Sequence, residues 1–571
     1  MAAEIEIDPV AGILASLRAA EQAAVKGPRR FDVVDGNGEV EERCGHGPGH
    51  RRTGAIGEGR RQISGSSGHR RGNRFPCAGR RPISGAMLPA LLRIDSKDDT
   101  ATALRDMAAG ETALGVTLME PVAKGHKVAV QPIAAGEPVR KFGFPIGTAT
   151  RDILPGEHVH THNVSTALAP GGAYAFTPLE QTGTSFEGPG FLGYHRADGR
   201  VGTRNEIWVI PTVGCVARTA QKIAERAAVL HAGKVDGIHA FPHPFGCSQL
   251  GDDLQGTRAI LSALASHPNA GGVLIVGLGC ENNQIKGMLE GIEHPNLRSL
   301  GAQAAGDELE EGLALVAELV GAAKAERTPA PLSALVLGVK CGGSDGFSGL
   351  TANPLTGRMA DAVTGAGGTA ILTEIPEIFG AEQLLMARAR DQAVFEAIVT
   401  LVNGFKAYFT RHGEPVSENP SPGNIAGGIT TLEEKSLGAV QKAGHAIVTD
   451  VIPYGGRVRR SGLTLLEAPG NDAVSSTALA AAGATAILFT TGRGTPLGFP
   501  VPTIKIASNS DLAARKPGWI DFDAGQVLDQ GMDAAAGALL ETIAAIASGR
   551  ETAAERNGER EIAIWKRGVT L

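Results

Sequence analysis

Long apolar runs are missing from this sequence. No segment has about eighteen or more consecutive apolar residues, and the first residues, "MAAEIEIDPVAG", lack the basic and apolar regions of a signal peptide. Cysteine is also scarce, because six residues in a chain of 571 do not make a disulfide framework. The net charge of -6 gives no reason to expect nucleic acid or a membrane as a partner. We therefore expect a cytoplasmic protein whose reduced thiols are core residues, nucleophiles or metal ligands.

Aromatic residues are few, at 4%, whereas the chain has 78 glycines. Glycine at this frequency favours many tight turns between strands and helices and close approaches of the backbone to small anionic ligands. The length predicts about two to four domains rather than one. The hydrophobic fraction of 42% and the charged fraction of 20% are typical of a globular protein, so the composition favours an α/β enzyme.

Residues 1–86 differ in composition from the rest. Between Arg43 and Arg81 there are ten arginines and one acidic residue, among Gly, Ser and Pro without a helical or strand period. We predict a disordered segment, or an extension produced by an early start codon or a shifted frame, with Met87 as the true start. A basic arm that binds nucleic acid is the alternative, and the lack of interleaved aromatic residues weighs against it.

A small β-rich module is predicted for residues 87–165. After "LLRI" and a helix-like "DDTATALRDMAAGE", short strand patterns follow in "HKVAVQPI", "EPVRKFGFPIGTAT" and "EHVHTHNV". Residues 166–188 have the composition of a linker.

The remaining chain repeats an apolar strand, a glycine-rich turn and an alanine-rich helix. The predicted strands are "EIWVIPTV", "VDGIHAF", "GGVLIVGL", "LSALVLGV", "GTAILTEI", "HAIVTDVI", "ATAILFTT" and "PTIKIAS"; the helices include "RTAQKIAERAAVLHA" and "ELEEGLALVAELVGAAKA". This alternation predicts parallel sheets with helices on both faces. Pro329 and Pro331 mark a boundary between two such α/β domains, residues 189–329 and 330–571.

Four cysteines of this region come at or shortly after predicted strand ends: Cys215, Cys247, Cys280 and Cys341. Because the carboxyl ends of parallel strands lie side by side and form the ligand crevice, these thiols could converge although they are distant in sequence. A small residue that fits a tight strand end is the alternative for any one of them. Four in the same topological position favour a functional site.

Three histidines alternate with other residues in "GEHVHTHNV". On a strand, the side chains of His158, His160 and His162 would point to one face, because Val159 and Thr161 separate them. Three imidazoles on one face suit a divalent metal or a proton relay. A solvated face is the alternative.

Further candidates lie in loops. "FLGYHRADGRVGTRNE" brings His195 and Arg204 to the loop before the first α/β strand, where an arginine can hold a carboxylate through two hydrogen bonds. Glu374 and Glu377 lie in "TEIPEIFG", in which Pro376 interrupts the helix that would otherwise follow. Surface charge and helix capping are the alternatives. "NPSPGN" and "TTGRGTPLG" suit polyhydroxylated or anionic ligands, but neither is a P-loop and no GxGxxG follows a strand, so no nucleotide cofactor is indicated.

The motifs "GEHVHTHN", "GYHRADGRVGTRN", "HPFGCSQ", "GLGCE", "KCGGSDGFSGLTANP", "TEIPEIFGAE", "NPSPGNIAGGITTLEEKSLG" and "TTGRGTPLG" occur in this order. Together they resemble the altronate and galactarate dehydratase family over roughly residues 88–570, and the β-rich module resembles the SAF module that opens these enzymes. "ITTLEEKSLG" is more similar to the altronate branch. The resemblance implies a hydro-lyase of hexuronate breakdown that converts D-altronate to 2-dehydro-3-deoxy-D-gluconate. It also implies a divalent metal, usually Fe²⁺, with Mn²⁺ as a further candidate.

A cation suits this reaction because the proton beside a carboxylate is weakly acidic and the departing hydroxyl is a poor leaving group. Imidazole and thiolate ligands favour Fe or Zn over Mg. We place the metal ligands among His160, His162, Cys247, Cys280 and Cys341. The catalytic candidates are Glu374, Lys340 if burial lowers its pKa, and His195. The substrate-binding candidates are Arg204, Asn163, Gly342, Gly343, Ser344 and Asp345.

Several alternatives stay open. The substrate could be D-galactarate or sulfolactate, and an iron–sulfur cluster with three cysteine ligands could replace the single metal ion. A non-catalytic sugar-acid sensor is a further alternative, although it would not require so many titratable residues at strand ends. We expect a small-molecule sugar acid as the partner, and a homo-oligomer is compatible with the sequence.

Overall fold

The computed structural model describes residues 89–179, 185–568 and 570. The prediction for residues 1–86 lies outside the described residues. Each helix of the described part of the chain is too short or too polar to cross a membrane.

The first described segment is a β-rich module. Its strands are β1 (Leu91–Leu92), β2 (Thr100–Ala103), β3 (Thr112–Ala113), β4 (Val116–Thr117), β5 (Lys127–Ala129), β6 (Pro138–Lys141), β7 (Phe144–Ala149), β8 (His158–Val159) and β9 (Val164–Ser165). They form an antiparallel sheet in the order β1-β2-β5-β8, a second one in the order β6-β7-β9, and the pair β3-β4. This confirms the β-rich prediction.

The helix expected in "DDTATALRDMAAGE" is wrong. Thr100–Ala103 is β2, which pairs with β1 on one side and β5 on the other, and all four residues are buried. The alternating threonines fit a pleated strand, and pairing on both edges outweighs the local helical pattern.

The strands of the remaining chain begin near residue 191. They are β10 (Phe191–His195), β11 (Val201–Gly202), β12 (Glu206–Pro211), β13 (Gly237–Ala240), β14 (Ala270–Gly277), β15 (Leu297–Gly301), β16 (Thr328–Ala330), β17 (Val336–Cys341), β18 (Thr369–Leu372), β19 (Val448–Ile452), β20 (Gly462–Leu466), β21 (Ala486–Thr491), β22 (Thr503–Ala507) and β23 (Phe522–Asp523). β10 pairs antiparallel with β11 and β16. The others form two parallel sheets, as predicted.

The helices that cover these sheets come between the strands. They are α1 (Ala217–Leu230), α2 (Gly251–Ala265), α3 (Ile285–Leu289), α4 (Glu308–Ala322), α5 (Ala352–Gly365), α6 (Glu382–Met386), α7 (Gln392–Arg411), α8 (Pro422–Ala426), α9 (Leu432–Ala439), α10 (Asp472–Ala481), α11 (Ser510–Arg515), α12 (Val527–Gln530), α13 (Met532–Ala547) and α14 (Ala553–Arg556). The start of α4 shows how the sequence sets a boundary, because the Asp307 carboxylate accepts the N–H groups of Leu309 and Glu310.

The first parallel sheet has the strand order β13-β12-β14-β15. Ile207 and Val209 of β12 belong to one hydrophobic cluster, with residues of α1 and α4, whereas Trp208 and Ile210 belong to another. This alternation buries both faces of the strand, which explains why it reads as an unbroken apolar run.

The second parallel sheet has seven strands in the order β19-β20-β18-β17-β21-β22-β23. The eight predicted strands are confirmed as β12, β13, β14, β17, β18, β19, β21 and β22. The prediction missed β15, β20 and β23 of these two sheets; β23 has only two residues, whereas β15 and β20 have five each, as many as the predicted β19 and β22. β17 is the central strand, so its carboxyl end opens among the loops of its neighbours.

Candidate active site

The Cys341 thiol lies at the carboxyl end of β17 and is buried. Its Sγ accepts a hydrogen bond from Lys442 Nζ at 2.8 Å and donates one to Glu377 Oε2 at 3.2 Å. The backbone N–H of Cys341 donates to Glu374 Oε2 at 2.9 Å, and Lys442 Nζ donates to the same oxygen at 2.9 Å. The thiol therefore contacts an ammonium group and two carboxylates.

Glu374 has an unusual backbone conformation. It follows β18, the neighbour of β17, with φ 63° and ψ 50°, in the left-handed region that non-glycine residues seldom adopt. The 3-10 helix Ile375–Ile378 begins directly after it, with Pro376 in the first turn. A strained residue of this kind is typical of functional sites, because the surrounding structure must hold it in place.

The charges of this group are fixed by its burial and by its partners. Burial, with the nearby carboxylates of Glu374 and Glu377, raises the pKa of the Cys341 thiol to about 12, so the thiol keeps its proton at neutral pH. Burial alone would raise the pKa of Glu374, but the ammonium groups of Lys340 and Lys442 outweigh it and lower that pKa to about 2. Glu374 is therefore an anion between two cations.

Lys340, the residue before Cys341, is fully buried. Its Nζ lies 3.1 Å from Glu374 Oε1 and donates to Asp472 Oδ1 at 2.7 Å. Burial favours the neutral amine, but the two carboxylates outweigh it and raise the pKa of Lys340 above its ordinary value. The condition set for Lys340 as a general base, a pKa lowered by burial, is thus not met. The Asp472 side chain is 37% exposed, and the buried group reaches solvent at this point.

A third lysine links Glu377 to the segment 419–435, which contains "NPSPGN". Lys435 Nζ donates to Glu377 Oε1 at 2.9 Å and to Asn419 Oδ1 at 2.9 Å. Asn424 in turn donates to the Ser344 carbonyl at 2.9 Å. The glycine and proline turn singled out in the sequence therefore forms one wall of the group around Cys341.

The loop after Cys341 contains four of the predicted substrate-binding residues. The N–H of Gly342 donates to the Thr490 carbonyl at 2.9 Å, so this amide is used within the protein. The Gly343 carbonyl accepts the Gly492 N–H at 2.8 Å, and the Ser344 hydroxyl lies 3.5 Å from the Gly342 carbonyl.

Asp345 is enclosed by donors of the protein itself. Its Oδ1 accepts the hydroxyls of Ser348 at 2.9 Å and Ser508 at 2.8 Å, and its Oδ2 accepts Asn509 Nδ2 at 2.9 Å. This buried carboxylate fixes the loop against the turn after β22, and its oxygens are already bonded.

The β-rich module docks against the same region through a buried ion triad. Glu434, the residue before Lys435 in α9, accepts Lys127 Nζ at 2.8 Å on Oε2 and Lys141 Nζ at 2.8 Å on Oε1. Burial would raise the pKa of Glu434, but the two ammonium groups outweigh it and lower the pKa to about 2. An exposed pair, Lys124 Nζ and Asp511 Oδ2 at 2.6 Å, joins the two parts at the surface.

His158, His160 and His162 do lie close together, but a turn and not a shared strand face brings them there. β8 ends at Val159, and residues 161–163 form a turn, so the strand-face argument is wrong for His160 and His162. Their rings nevertheless lie close to that of His158, at centroid distances of 5.3 and 5.5 Å. The turn is held by Asn163, which accepts the His160 N–H at 2.9 Å and donates to the His158 carbonyl at 2.9 Å. Asn163 thus positions the histidines.

His126, which the sequence reading did not select, completes this group. Its Nδ1 lies 3.0 Å from His158 Nε2. Burial lowers the pKa of His158 to about 3 and that of His160 to about 4, so both imidazoles are neutral at neutral pH and each has a lone pair. Two nitrogens at about 2.1 Å from one ion and at right angles lie about 3.0 Å apart, so the spacing fits a shared metal ion.

The predicted metal ligands fall into separate groups. The described residues include three sets whose ligand atoms lie within 4.8 Å of one another: His126 with His158 and His160; Glu120 with His158 and His162; and Cys341 with Glu374 and Glu377. Cys247 and Cys280 are exposed in loops of the other parallel sheet. The histidines and Cys341 fall in separate sets, and Cys247 and Cys280 belong to none of the three, so no such set of described residues combines them.

Two other predicted residues have structural partners. All five N–H groups of the Arg204 guanidinium find acceptors, among them both carboxylate oxygens of Glu555 at 2.8 and 2.9 Å. His195 lies on β10 and contacts the Pro329 carbonyl at 3.1 Å through Nε2. A substrate carboxylate could bind Arg204 only by displacing one of these acceptors.

Several members of the site carried little signal in the sequence. Glu377 was visible as a loop acid, but Lys435, Lys442 and Glu434 lie in "TLEEKSLGAVQKAG", which has the composition of a solvated helix. Their burial follows from the packing of α9 against both the β-rich module and the turn after β18.

Comparison with known proteins agrees with this architecture. The model of the altronate/galactarate dehydratase SAF domain matches residues 89–167, that of the D-galactarate dehydratase/altronate hydrolase second domain matches 193–324, and that of the D-galactarate/altronate dehydratase C-terminal domain matches 332–570.

Whole-chain relatives give the same result. The chain is 48% identical to an altronate dehydratase of Bacillus subtilis (strain 168) over 85% of its own length and 100% of the relative's. It is 49% identical to an altronate dehydratase of Escherichia coli (strain K12) over 84% and 99% of the two lengths. A galactarate dehydratase (L-threo-forming) of the same organism is 32% identical over 72% and 83%.

Two parallel sheets, a docked β-rich module and a buried group of acids and bases, together with these matches, define an α/β enzyme of the hydro-lyase class. The chain belongs to the D-galactarate/altronate dehydratase family.

Proposed function

We propose that the chain converts D-altronate to 2-dehydro-3-deoxy-D-gluconate in the cytoplasm, with a divalent metal ion, Fe²⁺ or Mn²⁺. The choice of substrate is supported by similarity, because the two altronate dehydratases are considerably more similar to the chain than the galactarate dehydratase is. The observation that carries the chemistry is the buried group in which Lys340 and Lys442 flank the Glu374 carboxylate.

This group is suited to removing a proton beside a carboxylate. Lys442 is protonated: burial would lower its pKa, but the Glu374 carboxylate and the hydrogen bond that Nζ donates to Cys341 Sγ outweigh burial and raise it above the ordinary value. A protonated lysine can stabilise the negative charge that develops on the substrate oxygens when the proton leaves. Lys435, whose pKa is also raised, offers a second positive charge beside Glu377.

Glu374 is the proposed base. With both lysines bound to it, its pKa of about 2 makes it a weak one. A substrate carboxylate that draws Lys340 or Lys442 away removes the charge that offsets burial, and the pKa of Glu374 then rises. Glu374 would therefore become a stronger base when the substrate is bound, and Asp472, at the exposed edge, lies beside Lys340 where such an anion would enter.

The histidine group is the proposed holder of the metal ion. His126, His158 and His160 fit a cation better than Cys341, Glu374 and Glu377 do, because lysines already bind the latter set, whereas the imidazoles are neutral. An ion there would bind hydroxyl and carboxylate oxygens and assist departure of hydroxide. The segment 419–435 contacts both groups, through His160 Nδ1 to Thr430 Oγ1 at 3.2 Å on one side and Lys435 to Glu377 on the other.

Turnover tests the proposal directly. We expect the full chain, loaded with Fe²⁺ or Mn²⁺, to release a 2-keto acid from D-altronate faster than from galactarate or sulfolactate, and chelation to stop it. Glu374→Gln should lower kcat by roughly 100-fold or more, whereas Asp511→Asn, at the exposed ion pair, should keep it. Absence of a keto product from every aldonate and aldarate would leave a sugar-acid-binding protein and overturn the proposal.

A further inference from the structure

Three cysteines lie at one edge of the four-stranded parallel sheet, away from Cys341. Cys215 follows β12, Cys247 follows β13 and Cys280 follows β14, and all three are exposed. The strand order β13-β12-β14 makes these three strands direct neighbours, so their carboxyl-terminal loops are adjacent.

Hydrogen bonds join the three loops to one another. The Gly214 N–H donates to the Phe245 carbonyl at 2.9 Å, which connects the loop of Cys215 to that of Cys247. Asn283, in the loop of Cys280, donates its N–H to the Gly246 carbonyl at 3.0 Å and its Nδ2 to the Thr212 carbonyl at 3.1 Å. One side chain and two amides therefore tie all three cysteine-bearing loops together.

The loop of Cys247 approaches its neighbour as closely as a backbone can. Gly246 has φ +101°, and a Cβ there would lie 2.2 Å from the Thr212 carbonyl oxygen. Ser248, on the other side of Cys247, has φ 56°, and its N–H donates to Asn282 Oδ1 at 2.8 Å. Glycine adopts a positive φ without strain, but Ser248 in the left-handed region is strained and persists only where the surroundings enforce it.

Cys280 has a hydrogen-bond donor of its own. Gln303 Nε2 donates to Cys280 Sγ at 3.6 Å. The next residue, Glu281, is turned inwards, where it accepts the Thr212 hydroxyl at 2.6 Å and the Gly279 N–H at 2.6 Å. The Glu281 carboxylate thus stabilises the loop from the inside, whereas the Cys280 thiol is exposed.

The three sulfurs do not form one of the compact sets of ligand atoms that a single ion would need. Thiolates favour zinc, cuprous copper and iron–sulfur clusters. Sulfurs bound at about 2.3 Å to one tetrahedral zinc ion lie about 3.8 Å apart, yet these cysteines are not among the sets of described residues whose ligand atoms lie within 4.8 Å of one another. A cluster in which each thiolate binds a different iron accepts the wider spacing.

We propose that Cys215, Cys247 and Cys280 hold an iron–sulfur cluster of the four-iron, four-sulfide type. Its fourth iron has no cysteine ligand from these loops, so it would bind a small oxygen ligand such as a hydroxyl or a carboxylate. This is a second metal site, on another sheet from the histidines. It does not depend on the proposed dehydration of altronate.

The test measures the cluster without turnover. The full chain is incubated without oxygen with equal amounts of ferrous and ferric iron and with sulfide, desalted, and assayed for iron, acid-labile sulfide and visible absorption. We expect about four sulfides per chain and about four irons bound with them, in addition to any Fe²⁺ at the histidine group. Cys215→Ser, Cys247→Ser and Cys280→Ser should each lose most of the sulfide and the visible band.

Matched controls use the other cysteines. Cys341→Ser and the double variant Cys44→Ser, Cys77→Ser should keep the sulfide and the band. Binding of zinc without sulfide by the wild type, no bound sulfide at all, or a band that survives in the triple serine variant would overturn the proposal.

A variant that keeps all three thiols distinguishes loss of a cluster ligand from loss of the fold. Gln303→Leu removes the N–H donated to Cys280 Sγ, and the cluster should still form but with a more negative reduction potential, because hydrogen bonds to sulfur stabilise the reduced state. An unchanged potential would place Cys280 outside the cluster and contradict the assignment.

Discussion

Glu434 holds the β-rich module to the rest of the chain, and replacing it gives the sharpest test of the described fold. Glu434→Gln keeps the size of the side chain but removes the negative charge between Lys127 and Lys141. The pKa of Glu434 falls from 4.5 to about 2 on folding, and one pKa unit corresponds to about 1.4 kcal/mol. The carboxylate thus contributes about 3 kcal/mol at neutral pH. Leaving two buried ammonium groups without a counter-charge gives a similar figure, about 3 to 5 kcal/mol.

The assay compares this buried triad with the exposed pair that joins the same two parts. Asp511→Asn removes the partner of Lys124, whose side chain is 35% exposed while that of Asp511 is 70% exposed, and should cost less than about 1 kcal/mol. Denaturant unfolding gives the free energies, and hydrogen exchange of β5 and β6 shows whether the loss is local to the module. Replacing Lys127 and Lys141 by Met and Glu434 by Leu together should restore much of the stability.

Equal changes in the free energy of unfolding for Glu434→Gln and Asp511→Asn would contradict a special role of the buried triad. Unchanged hydrogen exchange of the module in Glu434→Gln would show that the triad does not hold the module in place.

Three further predictions concern the site. His160→Ala should weaken Mn²⁺ binding, measured by calorimetry, by roughly tenfold or more, whereas His195→Ala should leave it unchanged; equal effects would contradict the histidine site. Arg204→Met should lower the free energy of unfolding by about 3 kcal/mol, because it removes the guanidinium that binds both oxygens of the buried Glu555 carboxylate and leaves only Arg560 as a cation beside it, while KM for the sugar acid stays within about twofold; a large rise in KM with normal stability would restore Arg204 as a substrate ligand. Because the folded-state pKa of Glu374 is lowered to about 2, its contribution to stability is present above pH 4.5 and is lost as the pH falls towards 2; acid unfolding of Glu374→Gln should therefore be shallower in this range than that of the wild type.

Eight strands of the two parallel sheets could be predicted from the sequence because they are short apolar runs, several of which are followed by glycine. The sequence predicted that the four strand-end cysteines could converge, because it does not show that their strands belong to two different sheets. Spacing shows that Cys247, Cys280 and Cys341 each follow a strand, but not which sheet the strand joins, and Cys341 follows a strand of the seven-stranded sheet whereas the other two follow strands of the four-stranded sheet.

The charged residues of the site were beyond the reach of a local pattern. Lys442 is 101 residues from Cys341 in sequence, and its own surroundings are those of an ordinary helix end. His126 lies 32 residues before His158, and only antiparallel pairing of β5 with β8 brings the two imidazoles together. Only the tertiary fold brings such residues together, and a single sequence does not show which distant residues will be in contact.

The short helix α9 turns two neighbouring residues towards different partners. Glu434 is bound to the lysines of the β-rich module, and Lys435 is bound to Glu377 beside the thiol. A ligand that drew Lys435 away from Glu377 and moved α9 with it would also change the contacts of Glu434 with Lys127 and Lys141, so binding on one side of the helix would be coupled to the attachment of the module on the other. By thermodynamic reciprocity, the tightness with which the module is clamped also sets the affinity for that ligand.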